Sequence, residues 1–467
     1  MEEVRHSQLR ITERKAKMNR VLKIASLAVI ASWGAVALAA DTISGRWDAQ
    51  LVRSDNVIPF RLDISGSGST LKGTLYDGFR PYEDTTSASF KDGKLVLNIE
   101  HYLTTITATY RDGQLVGNVV AQNRENRAEY EFLATRHVEQ PVAANAPAIA
   151  GSWEIPLDTP SSKGEKAFRL IIQQNGAEVA ASILRVDGDT GAYSGAYKDG
   201  KWVLSHFDGS RPGVIVVTPT SEGTLEIQQR VDRPQPAVAK ADTKAYGESG
   251  PDGRYANKLI AYRTEVARAK GFPEPANYLA HTTARDPNEQ FVFNFPDVNG
   301  KLVSNEDPRF KGKVILAIVT GTWCPNCHDE AQYLVELDKK YRDQGLAIVA
   351  LDFEEVEQQD SLTRVHAFVK QYGVKYPYLI AGSPAEMWEK VPQLVNLNTW
   401  PATVFVGRDG TVKAVHSGFA SPASGEFNAQ LKREFTARIE QLLAEKAAAD
   451  VKVSAIPAAK SADSRSL

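Results

Sequence analysis

Cysteine occurs twice in this chain, at Cys324 and Cys327, and both stand just past Val314-Ile-Leu-Ala-Ile-Val319, an unbroken apolar run. Such a run suits a strand buried on both faces, as in a parallel sheet. Gly321-Thr-Trp-Cys-Pro-Asn-Cys327 follows, and then Ala331, Leu334 and Tyr341 mark one face of a helix to about Arg342. Leu346–Leu351 reads as the next strand and Leu362–Tyr372 as the next helix. Thr403–Val406, the turn at 407–410 and Thr411–His416 read as a hairpin, and a helix from about Phe427 to Lys446 follows. Alternation of this kind predicts an α/β unit around a central sheet.

The strand-to-helix junction gives the cysteine spacing a chemical meaning. A helix beginning at Cys324 puts the first sulfur over unpaired backbone N–H groups, which favour thiolate. Pro325 suits an early helical position, where its missing N–H costs nothing. Cys327 lies one turn along, within reach of a mixed disulfide on Cys324. Cys324 is therefore the expected attacking thiol and Cys327 the resolving one. Two cysteines can neither staple a scaffold nor fill a four-ligand zinc site. No metal is expected, and no cofactor beyond the dithiol itself.

With 467 residues the chain is too long for one core. Residues 41–137 carry short strand signals separated by Lys91-Asp-Gly and Arg111-Asp-Gly, the turn chemistry of antiparallel hairpins. The pattern then recurs. Gly45-Arg-Trp47 is echoed by Gly151-Ser-Trp153, Phe60-Arg-Leu by Phe168-Arg-Leu170, and Lys91-Asp-Gly by Lys198-Asp-Gly. Near-constant spacing between the pairs marks a duplication. Two tandem antiparallel all-β domains, barrel-like or meander-like, are expected at 41–138 and 149–232, joined by an Ala/Pro-rich stretch at 141–148. Trp47 and Trp153 are read as core plugs, with a ligand pocket at the barrel mouth as the other reading. Residues 233–287 are read as a linker with a helical segment that aligns Leu259, Tyr262 and Val266. The tail 447–467 is rich in Ala, Ser and Lys and is expected to be disordered.

Arg20 and Lys23 precede an apolar stretch, Ile24 to Leu38, that ends in Ala37-Leu-Ala-Ala40. These are the parts of a secretory signal. Residues 1–39 are expected to be that signal, with Met18 as the start, and the protein is expected in the periplasm or outside the cell. Retention of the segment would leave a membrane tether, but its apolar core is short against the roughly 20 residues of a spanning helix. A formal net charge of -2 and the lack of a basic stripe speak against a nucleic-acid partner.

Trp323-Cys-Pro-Asn-Cys327, with Phe295-Pro-Asp-Val-Asn-Gly300 and Phe310-Lys-Gly-Lys313 upstream, resembles the exported TlpA/ResA-like thiol–disulfide oxidoreductases of the thioredoxin-like superfamily. The resemblance covers about 288–446. It implies a thioredoxin-like fold there, a redox disulfide between Cys324 and Cys327, and a cis-proline at Pro401 in Trp400-Pro-Ala-Thr403. It places Trp323, Trp400 and Pro325 at the substrate face. It also implies a glutamate near the dithiol, for which Glu355 is the expected residue and Glu354 its neighbour, serving to relay a proton to or from Cys327. Cytosolic thioredoxins carry a buried acid six residues before the first cysteine, where this chain has Ile318. The implied activity is reduction of disulfides in exported proteins, an apocytochrome among them, supplied by an upstream electron donor; run backwards, the cycle oxidises dithiols.

Three rivals share parts of this pattern. Cys324-Pro-Asn-Cys327-His328 satisfies the c-type haem attachment spacing, although Met387 is the one methionine after the signal. The thioredoxin reading makes His328 a helix-surface residue near the site. A peroxiredoxin would need Thr and Pro where Gly321 and Ala317 stand. The β-domains could instead bind a polymer or partner, with the dithiol as an accessory.

Overall fold

The computed structural model describes residues 43–53, 56–122, 127–139, 143, 145–189, 191–230, 258–359 and 361–445. The expected signal, its start at Met18, residues 233–257 of the expected linker and the tail 447–467 lie outside them. Among the described residues no helix is long and apolar enough to cross a membrane.

The first domain is a nine-stranded antiparallel sheet in the order β4-β3-β2-β1-β9-β8-β7-β6-β5. Its strands are β1 (Gly45–Arg53), β2 (Asn56–Ser65), β3 (Lys72–Asp77), β4 (Arg80–Asp84), β5 (Ser87–Lys91), β6 (Lys94–Ile99), β7 (Thr104–Arg111), β8 (Gln114–Gln122) and β9 (Arg127–Arg136). Alternation sets the faces: in β6, Leu95, Leu97 and Ile99 are buried while the residues between them are not. The Asp-Gly turns are tight because both residues take positive φ, Asp92 at 51° with Gly93 at 76° and Asp112 at 52° with Gly113 at 79°.

The second domain is a closed barrel of β10 (Gly151–Pro156), β11 (Ala167–Asn175), β12 (Glu178–Leu184), β13 (Tyr193–Lys198), β14 (Lys201–His206), β15 (Gly213–Pro219), β16 (Leu225–Arg230) and β17 (Leu259–Arg263). The repeat extends to atoms. Trp47 Nε1 donates to the Ile43 carbonyl at 2.9 Å, and Trp153 Nε1 donates to the Ile149 carbonyl at 2.9 Å. Arg136 lies 4.2 Å over the Trp47 ring and Arg263 lies 3.9 Å over that of Trp153. Both tryptophans are core, as the packing reading expected.

That arginine correspondence corrects one expectation. Leu259 and Tyr262 do not start a helix in a linker; they belong to β17, which pairs with both β10 and β16, and a short helix begins only at Thr264. Two free strand edges outweigh the helical spacing of three apolar residues: Leu259, Ile260 and Ala261 pair with β16, and Tyr262 and Arg263 pair with β10. The second β-domain therefore takes in Leu259–Arg263 as its eighth strand.

The third domain carries β18 (Thr283–Ala284), β19 (Asn294–Pro296), β20 (Leu302–Ser304), β21 (Val314–Thr320), β22 (Leu346–Phe353), β23 (Tyr378–Gly382), β24 (Leu394–Val395), β25 (Ala402–Val406) and β26 (Val412–Ser417). Its central sheet has the order β23-β22-β21-β25-β26, with β21 to β23 parallel and β25 and β26 antiparallel. All seven residues of β21 are buried, because each face is packed: Ala317 and Val319 on one, Leu316 and Ile318 on the other. The major helices are Pro325–Tyr341, Thr363–Tyr372 and Glu426–Ala444. This is the thioredoxin-like arrangement. The β18–β24 pair places its start before residue 288.

The domains share cores. Phe207 and Val214 of the barrel belong to the apolar cluster of the first domain, and Phe207 meets Phe60 at 4.8 Å. Full burial of one such ring contributes about 2 kcal/mol. Leu184, at the end of β12, joins a core of the third domain.

Candidate redox site

Cys324 is the N-cap of helix Pro325–Tyr341, with Pro325 at its first position. A strand ending at Thr320 and a turn closed by Cys324 N–H donating to the Gly321 carbonyl (3.0 Å) bring the sulfur to the helix start. One turn on, Cys327 N–H donates to the Cys324 carbonyl at 3.0 Å. Both cysteines are free thiols and both are buried. The Cys324 thiol lies 3.5 Å from the Trp400 carbonyl, and the Trp400–Pro401 peptide is cis. Trp323 and Trp400 meet edge to face at 5.1 Å, and Trp323 Nε1 donates to the Phe353 carbonyl.

The two thiols are driven apart in acidity. Burial would raise Cys324, but a hydrogen bond from Cys327 and the positive charge of Arg211 bring it below the ordinary thiol range. Burial and the neighbouring Cys324 push Cys327 well above that range. A pair split in this way has one sulfur ready to attack and one that keeps its proton.

Glu330 completes the site and was missed from the sequence. It is 1% exposed, its Oε1 accepts from Thr403 Oγ1, and burial, with a smaller push from Cys324, raises its pKa to about 8. Thr403 pairs in register with Ile318, so the acid missing from that strand position is supplied from the helix instead. The available signal was its spacing: three residues past Cys327, beside Ala331, it falls on the inward face.

Glu355 sits elsewhere in the network. It pairs with Arg364 Nη2 at 2.5 Å, while Glu354 contacts both Arg364 and Thr322 Oγ1. This buried cluster braces Thr322, two residues before Cys324, whereas Glu330 is the buried acid whose pKa Cys324 itself helps to raise. The acidic run Glu354, Glu355, Glu357 drew the sequence reading because an aligned carboxylate carries no sign of the arginine that claims it.

His328 is a correction. It is fully buried rather than on the helix surface, with Nε2 at 2.7 Å from the Thr322 carbonyl and Nδ1 at 2.9 Å from Tyr372 Oη. Tyr102 of the first domain packs on its ring at 4.3 Å, which is why no local pattern could show the burial. Burial lowers its pKa well below the usual histidine value, so it is neutral. With both ring nitrogens engaged, His328 does not fit the axial role that a haem attached at these cysteines would require.

Residues 283–431 match the Redoxin family model. The thiol-disulfide oxidoreductase ResA of Bacillus thuringiensis (strain Al Hakam) is 32% identical over 120 residues, 26% of this chain and 62% of that protein. ResA of Halalkalibacterium halodurans is 27% identical over 154 residues, 33% of this chain and 81% of that protein. A putative thiol:disulfide interchange protein DsbE from Chlorobium tepidum superposes with a TM-score of 0.26 at 18% identity, covering 33% of this chain and 98% of that one. The chain thus spans under two thirds of the first relative, and the likeness lies in its C-terminal part.

Proposed function

We propose that this protein is an exported thiol–disulfide oxidoreductase that reduces disulfides of extracytoplasmic proteins. The observation that carries the reading is the split pair: an acidified Cys324 at a helix start beside Pro401, and a Cys327 that holds its proton. In the cycle, Cys324 thiolate attacks one sulfur of a substrate disulfide; the S–S bond breaks and the other sulfur leaves and takes up a proton. Cys327 then gives up its proton and attacks Cys324 sulfur, which releases the second substrate thiol. Two electrons and two protons pass to the substrate, and a Cys324–Cys327 disulfide remains. Glu330, with a pKa near neutrality, is suited to hold the proton moved in these steps. A dithiol donor must then restore the pair.

Export rests on the signal-like segment at 1–39. Similarity to ResA favours the reducing direction and clients of the apocytochrome class. Trapping tests the reading: in the full chain, Cys327→Ser is expected to accumulate a mixed disulfide with a disulfide-bearing protein such as insulin, and Cys324→Ser none. Retained insulin reduction by Cys324→Ser would overturn it, and peroxide consumption without protein-disulfide exchange would favour the peroxidase rival.

A further inference from the structure

A thiol–disulfide site must present its first sulfur to another protein, yet here that sulfur is covered. Cys324 is 1% exposed and Asn326 2%, although both stand at the free end of a helix where solvent would be expected. The barrel segment between β12 and β13 lies against this end of the helix. Asn326 Nδ2 donates to the Asp187 carbonyl at 2.8 Å. Phe419 N–H points at the same carbonyl at 3.4 Å, and Gly188 pairs with Phe419 as a parallel β-bridge. Phe419 follows Gly418, whose N–H donates to the Pro401 carbonyl at 2.7 Å, so the segment lies against the loops that flank the dithiol.

The fit leaves no slack. A Cβ at Gly188 would stand 2.1 Å from the Phe419 carbonyl oxygen, and one at Gly418 would stand 2.3 Å from the Asp187 backbone. Next along, the buried Asp189 accepts from Ser421 N–H at 2.9 Å, from Ser421 Oγ at 2.6 Å and from Ser424 Oγ. Lys163 pairs with Asp187 from the barrel side. A carboxylate holding three donors of another domain is a built anchor rather than a chance contact.

We propose that the barrel segment 186–189 is a resident occupant of the dithiol's docking groove, and that a protein substrate gains Cys324 only when this segment lifts. The inference rests on the oxidoreductase reading of the same site and adds its regulation: the tight turn Arg185–Gly188, bridged to Phe419 through Gly188, fills the place a substrate strand would take. Population of the lifted state, not the reactivity of the sulfur alone, then sets the rate of exchange.

The test counts thiol access rather than turnover. The reduced full chain is treated with iodoacetamide and Cys324 labelling is followed by mass. In wild type, labelling is expected to be at least about tenfold slower than in the guanidinium-unfolded chain at equal pH, despite the lowered pKa. Gly188→Val and Asp189→Ala should each speed labelling about tenfold. If either loses its far-UV spectrum, Ser424→Ala, which removes a single bond to Asp189, should still give a clear increase of about twofold. Wild-type labelling as fast as in the unfolded chain would overturn the proposal, and so would slow labelling that the folded variants leave unchanged. Failure of the oxidoreductase reading is distinguishable: the oxidised chain would then lack an intramolecular disulfide, whatever the labelling rates.

Discussion

The two β-domains share the same buried tryptophan and the same arginine above it, but they meet the redox domain through different residues. The first remains a nine-stranded sheet and sends the turn Glu100–Tyr102 against His328 and helix Thr363–Tyr372, behind the dithiol. The second closes, because β17 pairs with β10 as well as β16, and sends the segment 186–189 across the front. The strands therefore fix the scaffold, while the loops between them decide whether a copy braces the site or covers it.

The largest expected effect comes from the core plugs. Trp153→Ala and Trp47→Ala should each cost about 3–5 kcal/mol in denaturant unfolding. They should differ in one readout: Trp153→Ala loosens the barrel and speeds Cys324 labelling, while Trp47→Ala does so far less. Equal acceleration by both would break the front-and-back distinction. Tyr102→Ala comes next. It removes the ring packed on His328 and should cost about 2 kcal/mol of stability, with Cys324 labelling unchanged within about twofold.

Glu330→Gln sharpens the chemistry rather than the docking. In the wild type Glu330 loses its proton near pH 8 and the new charge disfavours Cys324 thiolate, so the rate–pH curve of Cys324 labelling should carry an inflection there. Glutamine keeps an oxygen for Thr403 but does not titrate, and the inflection should vanish.

The smallest effect belongs to the contact between the barrel and the first domain. Burial opposes the charge on His206, but Asp208 at 3.5 Å and Asp77 outweigh it and raise its pKa to about 9. A raised folded pKa contributes stability that is complete below the unfolded value, about 6.5, and is lost as pH rises through about 9. His206→Gln should flatten the fall in melting temperature between those limits, and Asp77→Asn, which removes the first domain's charge beside His206, should flatten it in part.

Much of this was legible in the residues. The apolar run before Cys324, the Asp-Gly turns and the paired Trp47 and Trp153 located the sheets, the duplication and the dithiol. Three features were not, each for a physical reason. β17 follows a long interruption, and only its two partner edges make it a strand. His328 has a polar side chain on a helix whose cover comes from Tyr102, more than two hundred residues away. Glu330 was passed over for Glu355, because sequence gives carboxylates at two places and not the arginine that neutralises one of them.

The most direct measurement is a redox titration of the full chain in dithiothreitol buffers, with free thiols counted by mass after alkylation in denaturant. The account predicts that Cys324 and Cys327 disappear together in one two-electron step, with a midpoint nearer roughly −270 mV than roughly −120 mV. Loss of a single thiol, disulfides only between chains, or no disulfide at all would contradict the dithiol mechanism. A midpoint near the oxidising value would keep the pair and reverse the direction of its reaction.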